Sequence, residues 1–121
     1  MSKVLIVDDN RDSRDLIRAI LKNFRFEVVE ASQGREALDQ IRKERPDLVL
    51  LDIDMPVLDG FGVVENIRRE ADFADLPIIA VTAYAMERDR EKALAAGFTA
   101  YITKPVRAAG LRRQVQELLR V

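Results

Sequence analysis

The sequence predicts an α/β fold: a parallel sheet with helices on both faces. Three observations predict it. Short, wholly apolar runs alternate with amphipathic helical patterns along the whole chain. Val4 to Val7, Leu48 to Leu51 and Ile78 to Val81 carry no interleaved polar residues, so both faces of these strands are buried, as they are in parallel sheets. A chain of 121 residues also has the usual size of one domain, and buries roughly two-thirds of its unfolded surface without disulfides or a structural metal.

The elements follow in order. Val4-Leu5-Ile6-Val7 is the first strand, and Asp8-Asp9 ends it. A helix follows, with Leu16, Ile17, Ile20, Leu21 and Phe24 on one face and Arg and Asp residues on the other. Phe26 to Val29 is the second strand. Ser32 opens a second helix with Ala37, Leu38 and Ile41 inward, closed before Pro46. Leu48 to Leu51 is the third strand and stops at Asp52. Pro56 and Gly60 punctuate the next loop, and Val63, Val64 and Ile67 mark the third helix. Pro77 leads into Ile78-Ile79-Ala80-Val81, which ends at Thr82. Met86 to Ala96 is a fourth helix, weakly anchored by Ala93, Leu94 and Ala96 and stopped by Gly97. Phe98 to Ile102 is the last strand. Lys104-Pro105 follows, then a helix marked by Leu111, Val115, Leu118 and Leu119.

Five strand-helix units in strict alternation, with no linker, fit a flavodoxin-like doubly wound sheet of order 2-1-3-4-5 with five helices. Residues 1–121 are expected to form one domain, and the end of the helical pattern at Val121 suggests an intact stand-alone protein. A dinucleotide-binding arrangement is disfavoured, because no Gly-x-Gly-x-x-Gly follows the first strand.

Composition removes several function classes. Twenty basic against 21 acidic residues leave a net charge of -1, which gives no electrostatic excess to attract nucleic acid. The chain has no Cys, which excludes disulfides, thiolate metal sites and thiol catalysis. It has no His, which excludes imidazole bases and Ser-His triads. Any phosphohistidine in a phosphoryl exchange must therefore sit on another molecule. There is no signal-peptide layout and no apolar run long enough to span a bilayer, so no membrane contact and a cytoplasmic location are expected.

Ligands in open parallel sheets bind outside the carboxyl ends of the strands. Those ends carry Asp8-Asp9, Asp52, Thr82 and, just after the last strand, Lys104. In the order 2-1-3-4-5 these positions are neighbours. Three carboxylates packed together repel and raise one another's pKa unless a cation compensates. Oxygen ligands without His or Cys point to magnesium, to which the backbone carbonyl of Asp54 adds a further oxygen. Asp52 is then the nucleophile toward a phosphoryl donor, with Lys104, Thr82 and the cation neutralising the phosphoryl oxygens. Each residue alone has a plainer reading. Asp9 or Asn10 would cap the first helix. Thr82 would be structural, Lys104 a solvated loop residue, and Asp52 the start of a turn through Met55-Pro56 and Asp59-Gly60. Joint placement at four strand ends favours the phosphoryl site.

These residues resemble those of response-regulator receiver domains, the CheY-like half of two-component signalling. The resemblance rests on Asp8-Asp9, on Asp52 within Leu-Asp-Ile-Asp-Met-Pro-Val-Leu-Asp-Gly, on Val-Thr82-Ala83 and on Thr103-Lys104-Pro105, and it covers essentially the whole chain. The stretch from Val81 to Met86 is similar to stand-alone, DivK-like regulators. The resemblance implies that Asp52 accepts the phosphoryl group and that Asp8, Asp9, Asp52 and the Asp54 main-chain oxygen hold Mg2+, Asp9 directly and Asp8 partly through water. Thr82 would move toward the phosphoryl group, Lys104 would pair with it, and the Lys104-Pro105 bond would be cis. Tyr101 would be an aromatic switch; its plainer reading is a half-buried strand residue. Asp54 and Tyr84 would tune phosphoryl lifetime. The implied partners are a histidine kinase or histidine phosphotransfer protein, docking along helix one near Arg11, Arg14 and Arg18, and a downstream target protein at helix four, strand five and helix five. The oligomeric state stays open.

Two other readings use the same residues. Asp52-Ile53-Asp54 is similar to the nucleophile motif of haloacid-dehalogenase-type phosphatases, although that motif normally follows the first strand and here it follows the third. The fold also suits a flavodoxin-like cofactor carrier, but an acidic pair replaces the phosphate-binding loop.

Overall fold

A computed structural model describes residues 2–83 and 86–119. The elements are β1 (Lys3–Val7), α1 (Arg11–Leu21), β2 (Glu27–Ala31), α2 (Gly34–Glu44), β3 (Leu48–Asp52), α3 (Gly60–Arg68), β4 (Ile78–Thr82), α4 (Glu87–Ala96), β5 (Ala100–Thr103) and α5 (Ala108–Leu119). The five strands form one parallel sheet in the order β2-β1-β3-β4-β5, as the alternation predicts.

Strand periodicity divides the interior in two. Leu5, Val7, Val49, Leu51, Ile78 and Ala80 face one way, onto Ala37, Ile41, Val63, Val64, Ile67 and Ala93 of α2, α3 and α4. Val4, Ile6, Leu48, Leu50, Ile79 and Val81 face the other way, onto Ile17, Ile20 and Leu21 of α1 and Leu111 and Val115 of α5. The register aligns the carboxyl ends of the central strands: Val7 pairs with Leu51, Asp52 with Val81, and Thr82 with Thr103. That alignment brings the candidate residues to one edge.

Several boundaries differ from the sequence reading. Helix α1 ends at Leu21, so Phe24 lies outside it and stacks on Phe26, ring centroids 5.5 Å apart. Leu16, read as inward, is 47% exposed because the buried stripe runs through Ile17, Ile20 and Leu21. Helix α2 starts at Gly34 rather than Ser32, and the Ser32 N–H donates to the Glu36 carboxylate instead of entering the helix. A one-turn 3₁₀ helix (Ala71–Phe73) interrupts the strict alternation; it buries Phe73 beneath the Arg45 guanidinium. Strand β5 begins at Ala100, because the chain first turns through left-handed Gly97 and buries Phe98. Of the three expected anchors of α4, only Ala93 is buried; Leu94 is 41% exposed and Ala96 is exposed. No helix among the described residues is long and apolar enough to cross a membrane.

Candidate functional site

The strand ends converge as their register requires. Asp8 and Asp52 are buried, Asp9 is exposed, and one carboxylate oxygen of each lies within 4.8 Å of the others. Lys104 reaches in from beyond β5, its Nζ 3.1 Å from Asp8 Oδ2 and 3.6 Å from Asp52 Oδ2. The Lys104-Pro105 bond is cis, and the Lys104 N–H donates to the Thr82 carbonyl at 2.7 Å.

Local structure sets each side chain. Asp8 donates its N–H to the Ala31 carbonyl (3.2 Å), and its Oδ1 accepts from the Asn10 N–H (2.8 Å). Asn10 in turn caps α1, its side-chain oxygen accepting from the Ser13 N–H at 2.9 Å. The Asp54 N–H donates to Asp52 Oδ1 at 3.0 Å, which turns the chain back over the carboxylate. Helix α3 starts close behind. A Cβ on Gly60 would lie 2.8 Å from the Asp52 carbonyl oxygen and 2.7 Å from Ile53 Cα, so only glycine permits that approach. Between them Val57 is fully exposed at φ 69°, a left-handed conformation that a β-branched residue adopts only under strain.

Burial pushes the Asp52 carboxyl up to about 6, and the charges of Asp8 and Asp54 add to the rise; the Asp54 N–H and Lys104 oppose it. Burial pulls the Lys104 ammonium down, but attraction to Asp52 and Asp8 outweighs it and holds the group above its ordinary value. Asp8 Oδ2 is buried, and its close partner is the Lys104 ammonium at 3.1 Å.

This donor set fits a small divalent cation. It consists of carboxylate oxygens, in a chain without His or Cys. A 4.8 Å spread is close to the span of a six-coordinate ion, whose opposite ligands stand about 4 Å apart at magnesium distances. Asp8 Oδ2 is buried with Lys104 as its ion-pair partner and retains lone-pair capacity for a cation.

Thr82 is buried beside this cluster, and its hydroxyl donates to Asp54 Oδ2 at 2.9 Å. The Asp54 carboxylate thus engages Thr82, a contact the sequence did not reveal. Half-buried Tyr101 packs against the core beneath α3 and α4. It shares a cavity of about 320 Å³ with Thr82, Asp54, Phe61, Asp89 and Lys92. Burial raises the Tyr101 phenol, with Asp89 and Asp54 adding to the shift. Lys92 lies over the Phe61 ring, 5.0 Å from its centroid. Sequence reading missed Phe61, Asp89 and Lys92, because their approach depends on how α3 and α4 pack. Tyr84 lies outside the described residues. Of the α1 arginines, Arg11 is exposed, whereas Arg14 and Arg18 are both engaged with Glu30.

The model of the response regulator receiver domain matches residues 4–116. The chain belongs to that family. It is 43% identical over 114 residues, 94% of this chain and 87% of the relative, to an uncharacterized 14.6 kDa protein of Leptolyngbya boryana. It is 39% identical over 103 residues to the polar-differentiation response regulator DivK of Brucella anthropi, covering 85% of this chain and 84% of that one. It also matches the probable transcriptional regulator ycf27 of Porphyra purpurea at 41% identity over 98% of its length, but spans only 47% of that relative. Among solved structures, Vibrio cholerae chemotaxis protein CheY4 superimposes with a TM-score of 0.91 at 32% identity, over 98% of both chains. The receiver domain of the Pseudomonas aeruginosa sensor histidine kinase PA1611, solved with a magnesium ion coordinated in its active-site cleft, gives 0.90 at 34% identity over 99% of this chain and 98% of that one. Receiver domains are signalling switches of two-component systems, bind Mg2+ at an acidic pocket, and interact with histidine kinases and downstream effectors.

Proposed function

We propose that this receiver accepts a phosphoryl group on Asp52 from a phosphohistidine of a kinase or phosphotransfer protein, and passes the signal to a target protein by changing shape. One observation carries the reading. A buried carboxylate sits at the centre of a site where two further carboxylates lie within 4.8 Å and an ammonium stands 3.6 Å away. Phosphoryl transfer needs mainly alignment and charge neutralisation, and this arrangement offers both.

Asp8, Asp9, Asp52 and the Asp54 carbonyl would hold magnesium. When bound, the ion supplies positive charge against the phosphoryl oxygens and lowers the proton affinity of Asp52. An Asp52 carboxylate oxygen attacks phosphorus, the phosphorus–nitrogen bond to the donor imidazole breaks, and the imidazole leaves and takes a proton. Lys104 neutralises one phosphoryl oxygen. To give another a hydrogen bond, Thr82 must release Asp54. That movement enlarges the space beside Tyr101, and the ring would follow it inward. The surface of α4, β5 and α5 then changes.

The test is intact-mass spectrometry after incubation with acetyl phosphate, with and without magnesium, on wild type and Asp52→Asn. A single magnesium-dependent phosphoryl adduct, absent from the variant, is expected. An adduct that survives the substitution would overturn the assignment, and steady turnover of a phosphate ester would favour a phosphatase.

A further inference from the structure

We propose that Arg14 is a positioning residue for the divalent cation. It clamps the Asp8 carbonyl and so fixes how Asp8 and Asp9 present their carboxylates. The inference rests on the receiver reading above and deepens it.

The geometry is specific. Arg14 Nη1 donates to the Asp8 carbonyl oxygen at 2.7 Å, and Arg14 Nε donates to Glu30 Oε1 at 3.2 Å. The Arg14 side chain is only 16% exposed, far less than the Arg11 side chain at 84%. Asp8 lies one residue beyond β1, where the ladder ends, so its carbonyl needs another donor. Its N–H is already held by Ala31 and its Oδ1 by the Asn10 N–H. Arg14 supplies the third constraint, and the residue is then fixed on both sides of its Cα.

A cation beside a cation site is normally a cost. Here the charge is paired. Glu30 is shared between Arg14 and Arg18, and Arg18 also pairs with Asp15 at 2.6 Å. Arg11, 84% exposed, also reaches Asp15 at 3.9 Å, so every guanidinium of this group faces a carboxylate. Such pairing damps the field at the acidic cluster and leaves geometry as what Arg14 contributes there.

Geometry and charge predict opposite signs, and that makes the test sharp. If Arg14 acted only by its charge, removing it would tighten magnesium binding. If it positions Asp8, removing it weakens binding. The experiment is a calorimetric titration with magnesium chloride alone on wild type, Arg14→Met and Arg14→Lys, with folding checked by circular dichroism. Arg14→Met is expected to raise the Kd about tenfold. Arg14→Lys, which reaches the carbonyl or Glu30 but not both, should raise it about threefold. Acetyl-phosphate labelling of Arg14→Met should return to the wild-type rate at saturating magnesium, a split that general loss of structure would not produce. An unchanged or tighter Kd in folded Arg14→Met overturns the inference. Should Arg14→Met not fold, Arg14→Lys decides: a wild-type Kd overturns the inference and a weaker one supports it. Wild type that binds no magnesium would instead overturn the receiver reading itself, and this inference with it.

Discussion

Helices α1 and α4 flank the same site, yet they are held in very different ways. Helix α1 buries Ile17, Ile20 and Leu21, is capped by the Asn10 side chain, and is tied to the end of β2 through Arg14, Arg18 and Glu30. Helix α4 buries Ala93 alone, and its N-cap residue Met86 makes no side-chain cap. Its firm attachment is at the far end. There Gly97 takes the left-handed cap, and the Arg68 guanidinium donates to the Gly97 carbonyl at 2.8 and 3.0 Å. The contrast assigns roles by energy. The wall that holds the acidic pair is stiff. The wall beyond Thr82 has little buried area to lose and is the cheaper one to displace.

The largest effects should therefore fall on α1. Ile17→Ala removes a fully packed side chain and should cost about 2–5 kcal/mol in urea unfolding. Leu94→Ala, on the half-exposed face of α4, should cost under about 0.5 kcal/mol. A loss at Leu94 matching that at Ile17 would end the comparison.

That asymmetry was only half legible in the sequence. The weak apolar face of the fourth helix was visible, and so were all five strands: the three central ones as apolar runs that stop at Asp8, Asp52 and Thr82, the two outer ones from their place in the alternation. Leu94 and Ala96 were nevertheless misplaced inward; with so few apolar residues, no stripe fixes the helix rotation. Leu16 was misplaced for the opposite reason, since five candidates compete for a face that holds three. At the site, Asp8, Asp52, Thr82 and Lys104 could be located from strand register alone. The Thr82–Asp54 hydrogen bond and the Arg14–Asp8 contact could not. The first depends on where the loop after β3 folds back, and the second links a side chain to a backbone oxygen, which leaves no trace in residue type.

The second effect separates the site's charge from its packing. The Asp52 carboxyl is raised from 3.8 to about 6, so between those values the folded protein holds a proton that the unfolded chain lacks. Stability must then fall as pH rises through that window and level off above it. A shift of about two units corresponds to on the order of 3 kcal/mol. Asp52→Asn has no such group. It should exceed wild type by on the order of 2–3 kcal/mol at pH 7.5 without metal, and by much less at pH 4.5. Lys104 also loses its attraction to Asp52 in the variant, so the difference reports Asp52 together with that pairing. Millimolar magnesium should shrink the gap by stabilising wild type more. Equal stabilities at both pH values would show that Lys104 already neutralises the cluster.

The smallest effect tests the two helix starts directly. Asn10→Ala removes the cap of α1 and should cost about 1 kcal/mol. Met86→Ser gives α4 the cap it lacks and should add up to about 1 kcal/mol, since Ser accepts from the first-turn N–H groups that Met leaves without a side-chain partner. The two substitutions should also differ in what they do to phosphorylation. Loss of the Asn10 cap loosens the turn that carries Asp8 and Asp9, so magnesium affinity should fall along with stability. A capped α4 resists displacement instead. Met86→Ser should leave magnesium affinity unchanged but bind a phosphorylation-dependent target more weakly, because a stiffer α4 makes the shifted state less accessible. If Met86→Ser stabilises the fold and leaves phosphorylated and unphosphorylated forms equally able to bind the target, α4 is not the element that moves, and its sparse packing needs another explanation.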